Sequence, residues 1–420
     1  MTKKFYSNIK NQILFFIFLY LSLLISFYLG EDSTGGAFLD YNNQREVINQ
    51  FIDNFSYALL NYDNLEYTTR HSPVLLMMIS LLVKLNFTDE FIRLIYLHLN
   101  LILPLFFFKC LKLKFNKIEN YYLLLLTGII FLSPTFRTLA IWPDSRILGL
   151  SVFIISIYYF LKFLDNNSEK NIFLNIFFCA LASYISPNFS LFAIYFFYSY
   201  LKNFGLLSKE LTKVILLNII LALPALYYVF YLDILFFFAK ATVSFEGPDK
   251  LFVNYYNQIL IVSSIIFFYL TPFIFTRIIE LNEKNNNWIL IIFSSIIILI
   301  SIRSFNYNID FSGGGIIFHI SQFFFKNDIL FYIFSFVSIF FILKLIDDKF
   351  NNILLFLIIF LGNPQTTIYH KYYDPLLLIT FLTLFDFKIK IKIIGSYKSY
   401  IFIYIYFAVF LLMNNLKYLL

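Results

Sequence analysis

Charge is what this sequence has least of. Asp, Glu, Lys and Arg make up 14% of its 420 residues, where soluble domains run near a quarter. Hydrophobic residues reach 60% and the mean hydropathy is +0.76, more apolar surface than a water-soluble fold can hide. Cysteine is nearly absent. Cys110 and Cys179 each sit in an apolar run with no Cys or His at ligand spacing, which excludes a disulfide framework and a zinc site. The net charge of +7 does not point to nucleic acid, because the lysines fall in short clusters between hydrophobic runs rather than along one helix face. They read as topology signals. There is no internal repeat, no low-complexity linker and no soluble domain of useful size, so residues 1–420 are expected to form a single polytopic membrane domain.

What is present is aromatic and apolar. Phe (58) and Tyr (32) bring the aromatic share to 22%, and Ile, Asn and Lys are abundant as well, the pattern of an A- and T-rich genome. An individual Tyr, Asn or Lys is weak testimony for that reason. A hydrocarbon core of about 30 Å takes about 20 helical residues, which predicts thirteen spans, near 12–30, 91–110, 121–140, 145–163, 171–186, 188–201, 214–232, 255–276, 288–302, 328–346, 353–366, 375–387 and 399–413. The first is too long for a signal peptide and ends in Gly30-Glu31-Asp32 rather than at a small-x-small cleavage site, so it is expected to be retained. The run Pro73–Leu85 is only 13 residues long and starts at proline; it is expected to lie along the membrane surface.

Charge bias orients this arrangement. With the N-terminus cytoplasmic, the inside segments collect 20 of the 32 basic and 9 of the 25 acidic residues, net +11, and the outside keeps 12 and 16, net −4. The compact form and this bias suit a bacterial inner membrane. The long first loop, 30–90, is then external and carries Asp40, Arg70 and His71. Between Asn43 and Leu60, Val47, Ile48, Phe51, Ile52, Phe55, Ala58 and Leu59 recur at helical period, so this stretch is expected to lie as an amphipathic helix against bilayer or bundle. Other polar residues gather at the same face: Arg137, Asp144 and Arg146 between the third and fourth spans, and Tyr369, His370, Lys371 and Asp374 before the twelfth. Arg93 and His98 belong to the second span, where ionisable groups are expensive.

Two stretches carry a resemblance. Gly-Gly-Ala-Phe-Leu-Asp40, a helical stretch and then Arg70-His71-Ser72-Pro73 with a short apolar helix form the first; Ser133-Pro134-Thr135-Phe136-Arg137 running into Trp142-Pro143-Asp144 forms the second. Over roughly the first 165 residues the chain resembles the multispan glycosyltransferases of the GT-C class, in particular the group of ArnT and the protein O-mannosyltransferases. His71-Ser72-Pro73 departs from the His-Pro-Pro common in that class, and the C-terminal half has no large soluble domain of the kind some members carry. The resemblance implies an all-α, GT-C-like membrane fold and an inverting transfer of sugar from a polyprenyl phosphate to a lipid or glycan acceptor. It implies Asp40 as general base, Arg70, His71, Arg137, His370, Lys371 and Asp374 as substrate contacts, and Asp144 as a second acidic position that orients the acceptor or binds a divalent metal.

Each residue has a plainer reading. Asp40 and Asp144 both precede helical runs, where Asp serves as an N-cap; Glu31 and Asp32 read as solvated acids at a span exit. Arg70 and Arg146 read as headgroup anchors. His98 beside Asn100 suits a hydrogen bond between helices. Gly313-Gly314-Gly315 lacks the Lys-Ser/Thr of a phosphate loop and reads as a flexible turn near His319. Two other functions share this location: a transporter or flippase of lipid-linked sugars, which would favour midplane sites and repeated halves, and a surface polysaccharide polymerase, which would favour larger late loops than 233–254 and 303–327.

Overall fold

A computed structural model describes residues 2–62, 72–230, 254–281, 287–308, 313–346, 349–364 and 367–416, with side chains from residue 11 onward. Arg70 and His71 lie outside the described residues. The rest is helical nearly throughout, and packing divides it into two compact units, residues 1–251 with 407–420 and residues 252–406.

In the first unit, α1 (Thr2–Leu29) is followed by the first-loop helices α2 (Ala37–Asp53) and α3 (Phe55–Leu60) and then by α4 (Val74–Lys84). The expected amphipathic stretch is real and starts earlier than its hydrophobic period indicated. It breaks at Asn54, whose side chain accepts from the Tyr57 N–H (3.0 Å) and restarts the helix as α3. Val47, Ile48, Phe51 and Ala58 are buried. Helix α4 packs against α2 and, at 11 residues, reaches about 16 Å, too short to cross a bilayer alone.

Next come α5 (Asp89–Asn100) and α6 (Ile102–Lys114), which together form one 26-residue apolar stretch. The next expected span is bent by 69° into α7 (Asn120–Gly128), with its 3₁₀ extension to Leu132, and α8 (Pro134–Ile141). Proline is the cause. Pro134 forces Ser133 into an extended conformation and cannot continue the ladder, while the Ser133 hydroxyl accepts from the Phe136 N–H (2.9 Å) to open the new helix. Helices α9 (Ser145–Asn166), α10 (Glu169–Ile185), α11 (Phe192–Phe204) and α12 (Lys209–Phe230) complete this unit apart from the C-terminal residues.

The second unit opens with α13 (Tyr255–Phe275). It continues through α14 (Asn287–Arg303), α15 (Gly315–Phe325), α16 (Ile329–Ile346), α17 (Phe350–Leu361), α18 (Leu376–Thr383) and α19 (Ile391–Ile394) into the start of α20 (Tyr397–Leu416). Its strands β1 (Ile279–Glu280) and β2 (Lys388–Ile389) pair antiparallel. Gly313, Gly314 and Gly315 all have positive φ, and a Cβ on Gly313 would stand 2.7 Å from the Ile368 carbonyl oxygen. The run is a packed turn, tied down by the Gly314 N–H to Ile368 O bond (2.8 Å), rather than the flexible one expected.

Among the described residues seven helices are long and apolar enough to cross a membrane, or eight with the bent pair. Side chains such as Phe18 (67% exposed) and Ile401 (61%) stand open on them, as lipid-facing residues do and core residues of a soluble fold do not. The chain is an all-α integral membrane protein. Of the other five expected spans, α10 and α14 have 17 residues, at the lower limit for a crossing, and α11, α17 and α18 have 13, 12 and 8.

Candidate functional site

The first loop is built around a turn at the end of α1. Gly30, at φ +65°, lets the chain leave the helix beneath Trp142. The Asp32 carboxylate then accepts from the Gly36 (3.0 Å), Ala37 (3.2 Å) and Phe38 (3.2 Å) N–H groups, placing an anion on the N-terminus of α2. Asp32 is therefore not a solvated acid. It is the cap that the plainer reading gave to Asp40, and Asp40 sits one turn into the helix with its side chain 45% exposed.

Glu31 is not solvated either. Arg137, from α8, donates through Nε to both carboxylate oxygens (3.0 Å each) and through Nη2 to Oε2 (2.7 Å), with both side chains near 12% exposed. Burial pushes the Glu31 carboxyl up. The hydrogen bonds and charge of Arg137, with the Ser26 and Ser33 hydroxyls, outweigh that and hold it below its ordinary value. Arg137, expected to touch substrate, is spent on fastening the loop. Further bonds run alongside: Ser33 Oγ to Thr138 Oγ1 (2.9 Å), Ser33 Oγ to Pro134 O (3.2 Å) and Trp142 Nε1 to Glu31 O (3.1 Å).

Asp144 is the N-cap of α9. Its Oδ1 accepts from the Arg146 N–H (2.7 Å), and the Arg146 guanidinium grips both carboxylate oxygens, through Nε at 2.9 and 3.1 Å and also through Nη2. The Tyr96 hydroxyl, from α5, donates to Asp144 O (2.5 Å) and accepts from its N–H (3.0 Å). An acid so held, and 3% exposed, orients its arginine better than it takes a proton. The same Arg146 reaches Asp40 Oδ2 at 4.0 Å. The two acids singled out from sequence thus share one guanidinium, which is positioned by Asp144 and faces Asp40; Arg146 is not merely a headgroup anchor.

Aromatic rings close the cluster. Phe38 meets Trp142 edge-on at 4.9 Å, and Tyr41, whose hydroxyl donates to Asp89 (2.5 Å), lies 6.2 Å from the same indole. Burial, helped by Asp89, raises the Tyr41 hydroxyl well above its usual range, so it stays protonated. Arg93, on α5, lies flat over Trp142, 3.5 Å from the ring centroid. His98 has the structural role expected, its Nε2 bonded to Tyr20 of α1 (2.9 Å), and Asn100 accepts from Ser151 of α9 (3.0 Å).

His370, Lys371 and Asp374 belong to the second unit. His370 Nε2 shares a hydrogen bond with the Tyr269 hydroxyl (3.1 Å), which also bonds Asp374, and Phe268 stands edge-on to the imidazole at 5.4 Å. Burial drives the imidazole down to about 3. The fold therefore holds it as a neutral imidazole at physiological pH. Asp374 is 4% exposed, and Lys371 Nζ lies 5.0 Å from the centre of the Tyr369 ring.

The first unit also holds a cavity of about 250 Å³, mostly apolar, lined by Ala180, Ser183, Tyr184, Asn218, Ala222 and Tyr228 among others. Tyr184 fixes its wall, donating to Leu221 O (2.6 Å) and accepting from the Ala225 N–H (3.0 Å) where Pro224 interrupts α12. Among the described residues no three His, Cys, Asp or Glu side chains gather as a metal would require. No family model matches the chain, and no curated protein or solved structure is significantly similar to it. Fold and site together define a class, an integral membrane protein of helices with a docked, charged first loop.

Proposed function

We propose that the protein is an inverting membrane glycosyltransferase of GT-C type, moving a sugar from a polyprenyl phosphate to a lipid or glycan acceptor. The observation that carries this reading is the Asp40–Arg146–Asp144 arrangement: a half-exposed carboxylate, not used as a helix cap, beside a guanidinium locked in place by a second, buried acid. Asp40 takes the proton from the acceptor hydroxyl as that oxygen bonds to the anomeric carbon. The bond from that carbon to the phosphate oxygen breaks with its electron pair, so the phosphate leaves as an anion that needs positive partners and no acid. Arg146 holds the carboxylate in register and Asp144 holds Arg146. The apolar cavity suits the hydrocarbon of a lipid substrate.

In the same reading the chain crosses thirteen times, with α10, α11, α14, α17 and α18 as its short crossings. Its N-terminus is cytoplasmic, the cluster faces outward, and the membrane is a bacterial inner membrane, in line with the charge bias. The test is transfer by the purified protein in nanodiscs, given a panel of labelled polyprenyl-phosphate sugars and membrane-extracted acceptors. A new glycosidic product that disappears in Asp40→Asn supports the reading. Movement of the lipid-linked sugar across the bilayer without product replaces it with transport.

A further inference from the structure

Three arginines enter the cluster of the first unit, and two are spoken for: Arg137 is paired with Glu31 and Arg146 with Asp144. Arg93 differs. Its Nε donates to the Ile141 carbonyl (3.1 Å) and its guanidinium is stacked between Trp142, at 3.5 Å, and Phe27, at 5.0 Å. Among the described residues neither terminal nitrogen has a hydrogen-bond partner and no carboxylate stands within ion-pair distance, and Nη2 is sealed from solvent as well. A guanidinium held flat by two rings, its charge faced by Asp89 and Glu90 only beyond ion-pair distance, leaves a donor without a hydrogen bond. A bound anion would give the guanidinium a direct partner.

Position sharpens the assignment. Arg93 and Tyr96 are three apart on α5, on one face, and both grip the 141–144 turn: Arg93 at Ile141 O, Tyr96 at both backbone groups of Asp144. Arg93 therefore stands on the turn that aims Arg146 at Asp40. We propose that Arg93 is the phosphate contact of this cluster, its guanidinium donating through the Nη1 edge to an oxygen of a phosphate group. Resting on the transferase reading for its ligand, this makes the ligand a phosphate monoester or diester and gives the negative charge of the leaving group its counterion. Arginine suits the task because its planar cation stacks on two rings while still presenting an N–H edge, which lysine cannot do.

The chain offers its own reporter. It has two tryptophans, Trp142 under Arg93 and Trp288 in the second unit, so Trp288→Phe leaves a single indole at the proposed contact. In nanodiscs, the emission of that protein is titrated with a long-chain polyprenyl monophosphate, with the corresponding polyprenol, and with inorganic phosphate as competitor. The expected result is binding of the monophosphate at least ten-fold tighter than of the alcohol, a preference lost in Arg93→Gln and only partly kept in Arg93→Lys. Competition by inorganic phosphate assigns recognition to the phosphate alone; monophosphate binding without such competition assigns it to a lipid-borne phosphate. Full monophosphate affinity in Arg93→Gln overturns the proposal, as does equal binding of monophosphate and alcohol by the parent. Should Arg93→Gln not insert, the Arg93→Lys comparison decides in the same way. Arg93-independent binding leaves the transferase reading standing, whereas Arg93-dependent binding without any glycosidic product removes the transferase and keeps the contact.

Discussion

In the first unit, polar side chains meet as ions at two helix ends, Glu31 with Arg137 and Asp144 with Arg146, beside uncharged contacts such as Asn100 with Ser151. Inside the second they meet mainly through uncharged hydrogen bonds, His370 with Tyr269, and Gln258 Nε2 with the carbonyls of Phe360 (3.0 Å) and Asn363 (2.9 Å). Among the described residues of the second unit the ion pair is Glu280 with Lys390, 41% exposed on the strand ribbon. The contrast assigns different work to the two. An arginine gripping a carboxylate in a fork fixes direction as well as distance, which is what positioning a reacting acid requires. A buried hydrogen-bond network around a neutral imidazole fixes packing.

The largest effect that tests this contrast is on activity. Asp40→Asn should lower the transfer rate by about 10²- to 10⁴-fold, the range of a positioned general base, and leave thermal stability nearly unchanged because the side chain is half exposed. Asp374→Asn, in the buried network, should do the reverse and lower the melting temperature with little effect on the pH profile of transfer. If both variants lose only stability, the first unit has no privileged acid and the comparison collapses.

Next is the pair that docks the loop. Arg137→Ala strands Glu31 in a mostly buried setting, at a cost of about 3 kcal/mol, read as a lower denaturation midpoint in detergent. Glu31→Ala with Arg137→Ala should cost less than the two single changes summed, since neither charge is then left alone. Strict additivity would mean that the loop is docked by its aromatic contacts to Trp142 and not by its ions.

pH separates the units further. The Glu31 carboxyl lies below its ordinary value in the fold, so the stability it contributes is present above the unfolded pKa of about 4.3 and is lost as pH falls through the lower folded value. His370 is depressed as well, but it is a base. The unfolded chain binds its proton near 6.5 and the folded chain only near 3, so stability declines as pH drops across that window, by about 2 kcal/mol at pH 5. Melting curves between pH 7 and 5 should fall for the parent and flatten in His370→Gln. An unchanged slope in that variant would show that His370 is not the group titrating.

Single residues show how much of the fold and site is legible in the sequence. Scarce charge and long apolar runs revealed the membrane fold, and Asp40, Asp144 and Arg137 were legible because polar residues at span ends are rare here. Their partners were not. Glu31 and Arg137 are 106 positions apart, and nothing in either segment says that they meet. Arg93 stood out as a charge within a span, yet its purpose depends on Trp142 lying beneath it, a tertiary fact. The bend at Ser133-Pro134 was written in the proline, but a hydropathy window averages across it and reads one straight span. The run over α18 extends past the helix for a related reason, because Leu384, Phe385 and Phe387 beyond its end count equally toward it.

The smallest effect concerns which acid caps α2, and it bears on the base itself. Asp32 gives three backbone N–H groups their acceptor at the helix N-terminus, so Asp32→Ala should cost about 1 kcal/mol. Asp32→Asn, which keeps an oxygen and loses the charge, should cost less, since only the dipole contribution of a few tenths of a kcal/mol goes with the charge. Asp40 is one turn further along, and its direction toward Arg146 depends on that first turn being formed. Fraying the cap should therefore lower the transfer rate slightly in Asp32→Ala and hardly at all in Asp32→Asn, with the loss tracking stability across the two. A large rate loss in Asp32→Asn at unchanged stability would move the base from Asp40 to Asp32 and leave Arg146 aimed at the wrong acid.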